Sequence, residues 1–289
     1  MSRTLPTSAP MPAGERLGFA AFILVSVVFA LFFLLPIVWS FANSFKPAAE
    51  ALAHPVALFS KAFSLENYRR LDTVGAGWTV YAGNSVMIAL GTVVLTVLVA
   101  VPAGYGFSKF RFPGQSALFI VVMATMMIPF QSILTPLFLI LKVLKLQNNL
   151  FGLVLIYVTF QLPFSIFMMR NAFDAVPRAL IEAARIDGAS QWTILRRIML
   201  PIALPGVATI AMFAFLNAWN EFLAALIFLS DQNKFTLPIM LVNVSSGIYG
   251  IIDWGALQAG VTVTMVPCII LFLLLQRYYV RGLTAGAVK

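Results

Sequence analysis

Charge is what this sequence has least of. Of 289 residues only 10% are Asp, Glu, Lys or Arg, against 61% hydrophobic, and the mean hydropathy is +0.95. A soluble domain carries about a quarter charged residues. Too little polar surface is present to cover a globule in water, so the solvent must largely be lipid. A single cysteine, Cys268, excludes an internal disulfide, and its place in an apolar run reads as a buried thiol. The single histidine, His54, has no cysteine or carboxylate cluster around it, which argues against a metal site. The dipeptide Gly-Lys is absent, and with it the phosphate-binding loop, so the chain is not expected to hydrolyse ATP itself or to bind a cofactor. His54 and Cys268 lie too far apart to suggest a nucleophile and its base, and the chain reads as a non-enzyme. The formal charge of +9 would suit nucleic acid, but its distribution answers to membrane orientation instead.

What is present is a series of long apolar runs. A helix needs about 20 apolar residues to cross a hydrocarbon core of roughly 30 Å. Six segments qualify: about 17–41, 82–107, 115–140, 148–170, 202–229 and 259–280. Pro36, Pro129, Pro136 and Pro163 interrupt them, which a bundle tolerates. Gly91, Gly104 and Gly106 in the second span permit close helix approach. Residues 235–252 also lack charge, but Pro238, Asn243, Gly247 and Gly250 make them a short helix or re-entrant loop in the external half of the membrane. Residues 1–14 are rich in Pro, Ser and Ala and read as disordered. The uncharged run that follows is about twice a signal-peptide core, so it reads as a retained anchor. Residues 15–289 are expected to be one transmembrane domain. With the N-terminus inside, twelve Lys and Arg are cytoplasmic against seven outside, which favours both termini in the cytoplasm.

Between the fourth and fifth spans lies a cytoplasmic stretch, 175–201, patterned as two short helices about a glycine. Pro177 suits a helix start. Arg178, Glu182 and Arg185 are spaced to pair on one polar face. Gly188 sits where a helix end calls for left-handed backbone. Ser190 is placed to cap a second helix whose apolar face is Trp192, Leu195, Ile198 and Met199, with Arg196 and Arg197 off it. Three readings compete on residues alone: a docking handle, an ordinary loop lying on lipid, and a DNA-binding helix-turn-helix. A segment tied to the bilayer on both sides is poorly placed to reach a major groove.

One ionisable group falls inside a span. Glu221 sits in Trp219-Asn220-Glu221-Phe222, and an acid at depth costs about 2.5–3.5 kcal/mol, so it should face the bundle interior, water or a partner. Asn217 and Glu221 are four apart and share a helical face. Either Glu221 bonds across helices to hold the fold, or Asn217, Asn220 and Glu221 line a polar path beside the stacking face of Trp219. Gln131 and Gln161 are further polar candidates, as interhelical glue or as solute contacts. Amides and a carboxylate beside an aromatic suit hydroxyl-rich solutes. A stand-alone secondary transporter would need a chain of protonatable groups or a doubled repeat, and neither is visible.

The stretch from Glu182 resembles the signature of permease subunits of binding-protein-dependent ABC importers. The pattern is Glu-Ala-Ala, three residues, Gly, nine residues, Ile, one residue, Leu-Pro. Glu182, Ala183, Ala184, Gly188, Ile198, Leu200 and Pro201 meet every fixed position. The likeness runs from about residue 17 to the end and is nearest the carbohydrate-uptake branch, the shorter permease subunit of maltose-type importers. It is carried by Glu66-Asn67-Tyr68, Asn84-Ser85, Tyr105-Gly106-Phe107, Phe110-Arg111-Phe112-Pro113-Gly114, Asp187-Gly188-Ala189 and the Trp219-to-Phe222 run. Phe107-Ser108-Lys109 departs from it, lacking the small-residue run that many relatives carry. The resemblance implies a second homologous permease and two ATPase subunits that hold ATP and Mg. It also implies an external solute-binding protein delivering a sugar-class solute, in a bacterial inner membrane. It gives Glu182, Ala183, Ala184, Asp187, Gly188, Arg196, Leu200 and Pro201 to contact with an ATPase subunit.

Overall fold

The computed structural model describes residues 13–54, 57, 62–247 and 252–287, and every element among them is helical. The expected disordered N-terminus falls on residues that, up to 12, lie outside the described ones. The first helix, α1 (Ala13–Ser44), presents apolar side chains to the surroundings on all sides along its span. A helix apolar all round is stable only in lipid or under cover. Two short helices follow, α2 (Ala48–Ala53) and α3 (Glu66–Asp72), then the long α4 (Trp78–Lys109). Next come α5 (Gln115–Ala124) and α6 (Leu134–Val143), joined through two 3-10 turns. The next long apolar element is α7 (Leu150–Asp174).

The 175–201 stretch becomes α8 (Arg178–Ile186), α9 (Gln191–Ile194), a π turn at Leu195–Met199 and α10 (Leu200–Ile202). It leads into α11 (Leu204–Asn220) and α12 (Leu223–Phe228), and the chain closes with α13 (Leu237–Ser246) and α14 (Trp254–Ala287).

Four of the expected spans are single helices, in α1, α4, α7 and α14. The other two are broken rather than single helices. The 115–140 run bends by 97° between α5 and α6. At the break Ile128 is extended (ψ 118°), as the residue before a proline prefers, and Pro129 donates no hydrogen bond. The 202–229 run is not one helix either: α11 stands at 77° to the segment 191–202 and ends at Asn220. Within 235–252 the described residues hold one helix of ten residues, Leu237–Ser246, too short to span.

Two apolar clusters occupy the two ends of the bundle. One gathers Tyr81, Ile88, Leu153, Tyr157, Trp219, Leu237 and Met240, and the other Val101, Tyr105, Met169, Phe173, Ile181, Ile194 and Met199. α4 and α7 run side by side through both. Gly104 makes this possible: a Cβ there would stand 2.5 Å from the Cβ of Met169 and 2.9 Å from the backbone nitrogen of Arg170. A Cβ on Gly91 would stand 3.2 Å from a Val154 methyl, but Gly106 faces open space and is not part of the crossing. Gly104→Leu should therefore force the two helices apart, where overpacking costs about 1–3 kcal/mol or more. The check is the yield of folded, monodisperse protein in detergent, with Gly106→Ala as the neutral control.

Several motif residues are joints of backbone. Asn67, buried, donates to the carbonyls of Ser44 (3.0 Å) and Lys46 (2.7 Å), and Tyr68 bonds Ser44 at 2.9 Å. Asn84 donates to the carbonyls of Asn233 (2.8 Å) and Phe235 (2.9 Å), while the Ser85 hydroxyl accepts the Leu237 N–H. These bonds tie α1, α3 and the start of α13 into one end of the bundle. The bend of α8 to α10 lies at the other.

Candidate coupling bend and polar cavity

The bend is built by local rules and then bolted to the bundle. Pro177 directly precedes α8. At its end the N–H groups of Asp187, Gly188 and Ala189 return to the carbonyls of Ala183, Arg185 and Ala184 at 2.9–3.0 Å, with Gly188 at φ +77°. That closes the helix with the left-handed residue only glycine adopts cheaply. Ser190 caps α9 by accepting the Thr193 N–H at 3.3 Å. Ile181, Ala184, Ile194, Leu195 and Met199 are buried against α4 and α7. The Tyr105 hydroxyl of α4 donates to Gln191 at 2.9 Å.

The opposite side is bare. Glu182, Ala183, Asp187, Gly188, Arg196 and Pro201 are exposed and Leu200 is half-buried. Ile186 is 86% and Trp192 66% exposed. Trp192 thus leaves the apolar face expected for it. The helix gives way to a π turn at Leu195–Met199, and the fully buried residues are Ile194 and Met199, five apart, while Trp192 is exposed. Nor does Glu182 pair with Arg178 or Arg185 within 4 Å. Two acids (Glu182 and Asp187), four arginines (Arg178, Arg185, Arg196 and Arg197) and the large apolar Ile186 and Trp192 are left exposed.

The second candidate is a cavity of about 270 Å³ between α4, α7 and α11, lined by Thr92, Tyr157, Phe160, Gln161, Asn217 and Glu221, with Phe130 from the α5–α6 bend. A neighbouring space of about 780 Å³ shares Phe160, Gln161 and Asn217 and runs along the bend. Asn217 donates to Gln161 at 2.7 Å, and Gln161 to Ser165 at 3.2 Å.

Glu221 is not inside a helix. Its backbone is extended (φ −73°, ψ 126°), and its carboxylate accepts the N–H groups of Ala224 (2.9 Å) and Ala225 (3.2 Å) at the start of α12. It also accepts the Tyr157 hydroxyl at 2.6 Å. Three donors thereby meet the cost of an acid at depth. Asn217 and Glu221 do meet in one cavity, though across a helix end rather than on one helical face. Trp219 does not join them: it is 1% exposed, stacks on Phe215 and donates its indole N–H to the Thr264 carbonyl at 2.9 Å. Asn220 is exposed and spends its amide on the Leu216 carbonyl. Gln131 is exposed and lies outside the lining of the cavity.

Sequence reasoning missed Tyr157, Thr92 and Phe160. The signal was the i, i+4, i+8 spacing of Tyr157, Gln161 and Ser165, which puts three polar groups on one face of α7.

Residues 93–285 match the family described as binding-protein-dependent transport system inner membrane component. The diacetylchitobiose uptake system permease protein NgcG of Streptomyces coelicolor is 34% identical over 269 residues, covering 91% of this chain and 86% of that one. The trehalose/maltose transport system permease protein MalG of Thermococcus litoralis is 34% identical over 268 residues, covering 92% and 95%. Among solved structures, a bacterial ABC transporter involved in import of the acidic polysaccharide alginate superposes with a TM-score of 0.79 at 24% identity, over 94% of this chain and 100% of that one, which is a likeness of fold. The chain is a multi-pass membrane protein and belongs to the binding-protein-dependent transport system inner membrane components, the permease subunits of ABC transporters.

Proposed function

We propose that this chain forms half of the translocation pore of an ATP-driven importer for a sugar or sugar derivative. Its partners are a second homologous permease, an external solute-binding protein and two ATPase subunits that hold the ATP and Mg. The six apolar runs, two of them bent, cross the membrane with both termini in the cytoplasm, and the bend at 175–201 seats in an ATPase subunit.

One observation carries this reading: the bend is fastened to α4 and α7 by buried apolar residues while Glu182, Arg185, Ile186 and Trp192 stay uncovered. A partner that moves this face moves the helices beneath it, which is what coupling two states requires. The sugar class is supported by the names of the relatives and by the aromatic and amide lining of the cavity at Phe160, Gln161 and Asn217.

Reconstitution tests it. In proteoliposomes the chain alone should move no glycoside. Adding the second permease, the ATPase subunits and the binding protein loaded with its solute should give ATP-dependent uptake. In a Cys268→Ala background, Asp187→Cys should react with a membrane-impermeant maleimide only from the ATPase side. Labelling from the other side, or uptake by the lone chain, would overturn the assignment.

A further inference from the structure

Across α11 from the polar cavity, an open groove of about 770 Å³ lies between α1, α3, α4 and α14. Its floor is Trp219, and its rim carries exposed apolar residues from three helices, Phe41, Val86 and Val266. The wall from Thr79 to Val86 runs over eight residues of α4, a rise of about 10 Å. The mouth is different in kind. Arg69 and Asp72, one helical turn apart on α3, both line it and are exposed. Among the described residues neither forms an ion pair within 4 Å, with each other or with anything else. Trp78 and Tyr68 flank them, amphipathic rings of the kind that sit at the headgroup level of a bilayer. On the wall, the buried hydroxyl of Thr262 has no hydrogen-bond partner.

We propose that this groove is a binding site for a zwitterionic phospholipid of the phosphatidylethanolamine type, from the leaflet on the α3 side. An acyl chain lies along Val86 and Val266 over Trp219. The phosphate meets the guanidinium of Arg69, and the headgroup ammonium meets the carboxylate of Asp72. Rotation of Thr262 about χ1 offers its hydroxyl to a glycerol ester carbonyl. The charge pattern selects the headgroup: an anionic lipid satisfies Arg69 but leaves Asp72 facing its net charge, and a quaternary amine has no N–H to donate. The groove is apolar where a lipid is apolar and dipolar where its headgroup is dipolar, and it is separate from the solute cavity and from the coupling bend.

The test uses the assembled transporter, purified in mild detergent after exchange into vesicles of defined phosphatidylethanolamine, phosphatidylglycerol and phosphatidylcholine content. Native mass spectrometry should find phosphatidylethanolamine retained in preference to the other two. Ala82→Trp, which fills the groove, should remove one retained lipid per complex. Arg69→Gln and Asp72→Asn lie on the surface and keep the fold, and each should erase the headgroup preference. A photo-crosslinker at Val86 should join to lipid. Equal retention of all three lipids, an unchanged count in the three variants, or crosslinking of Val86 to the partner permease would each overturn the proposal. None of these outcomes bears on whether the chain is an importer subunit, which the reconstitution above decides separately.

Discussion

Replacing Gly188 by valine, or Glu182 by lysine, should leave the chain folded in the membrane and break the link between ATP hydrolysis and uptake. The two changes act differently. Gly188 sits at φ +77°, and no neighbouring atom lies within 4 Å of where a Cβ would stand, so a larger side chain meets no steric wall. The whole penalty is in the backbone, about 1–2 kcal/mol for a left-handed residue with a Cβ. Relieving it means turning Ala189 and Ser190 away from their places, which reorients α9 against α8 without touching the buried contacts of Ile181 or Met199. Glu182 is exposed and unpaired, so lysine there leaves the fold intact and reverses the charge offered to a partner. Coupling energies between sites are about 1–3 kcal/mol, so uptake should fall by about 5–150-fold while ATP hydrolysis by the assembly continues. Gly188→Asn should lose least, because asparagine tolerates this backbone region. Gly83→Ala, at a glycine with open space and ordinary φ, should lose nothing. Full uptake by both the valine and lysine variants would show that this bend transmits no motion.

That experiment rests on a segment the sequence describes well, because its signals are local. Pro177, Gly188 and Ser190 each meet a requirement of a helix end, and those requirements do not depend on distant residues. Apolar length places α1, α4, α7 and α14 for the same reason: a long run needs only lipid. The breaks were hidden. Pro36, Pro102, Pro163 and Pro267 all lie within continuous helices, so Pro129 carries no mark that it, and not they, sits at a 97° bend. Asn220 to Leu223 hold neither proline nor glycine, and the helix stops there because Tyr157, 64 residues earlier, and the α12 amides together hold the Glu221 carboxylate. The exposure of Trp192 has a similar origin. A π turn inserts an extra residue only if packing against α4 and α7 repays it. Local chemistry was legible, and decisions made by contact between elements were not.

Glu221 offers the second large effect, and it separates the two roles open to the polar cavity. Glu221→Ala removes the acceptor for three donors at once, the Tyr157 hydroxyl and the N–H groups of Ala224 and Ala225, all within 3.2 Å. Tyr157 is buried, and a buried donor left without a partner costs about 1–3 kcal/mol. The assembly should therefore unfold several degrees earlier, with α12 fraying from α7. Tyr157→Phe removes one donor and leaves the carboxylate its two amides, so its loss should be smaller. Glu221→Gln keeps an acceptor oxygen in place and should fall between them. None of these three isolates solute contact, because each disturbs the helix end. Asn217→Leu does: its amide bonds only Gln161 and faces the cavity, and leucine has a similar volume. If the cavity lies on the sugar path, Asn217→Leu should raise the solute concentration for half-maximal uptake, in addition to the fall in unfolding temperature that comes from leaving the Gln161 carbonyl without its donor. If the cavity is only a joint between α7 and α11, the same variant should change the unfolding temperature and leave the concentration dependence alone.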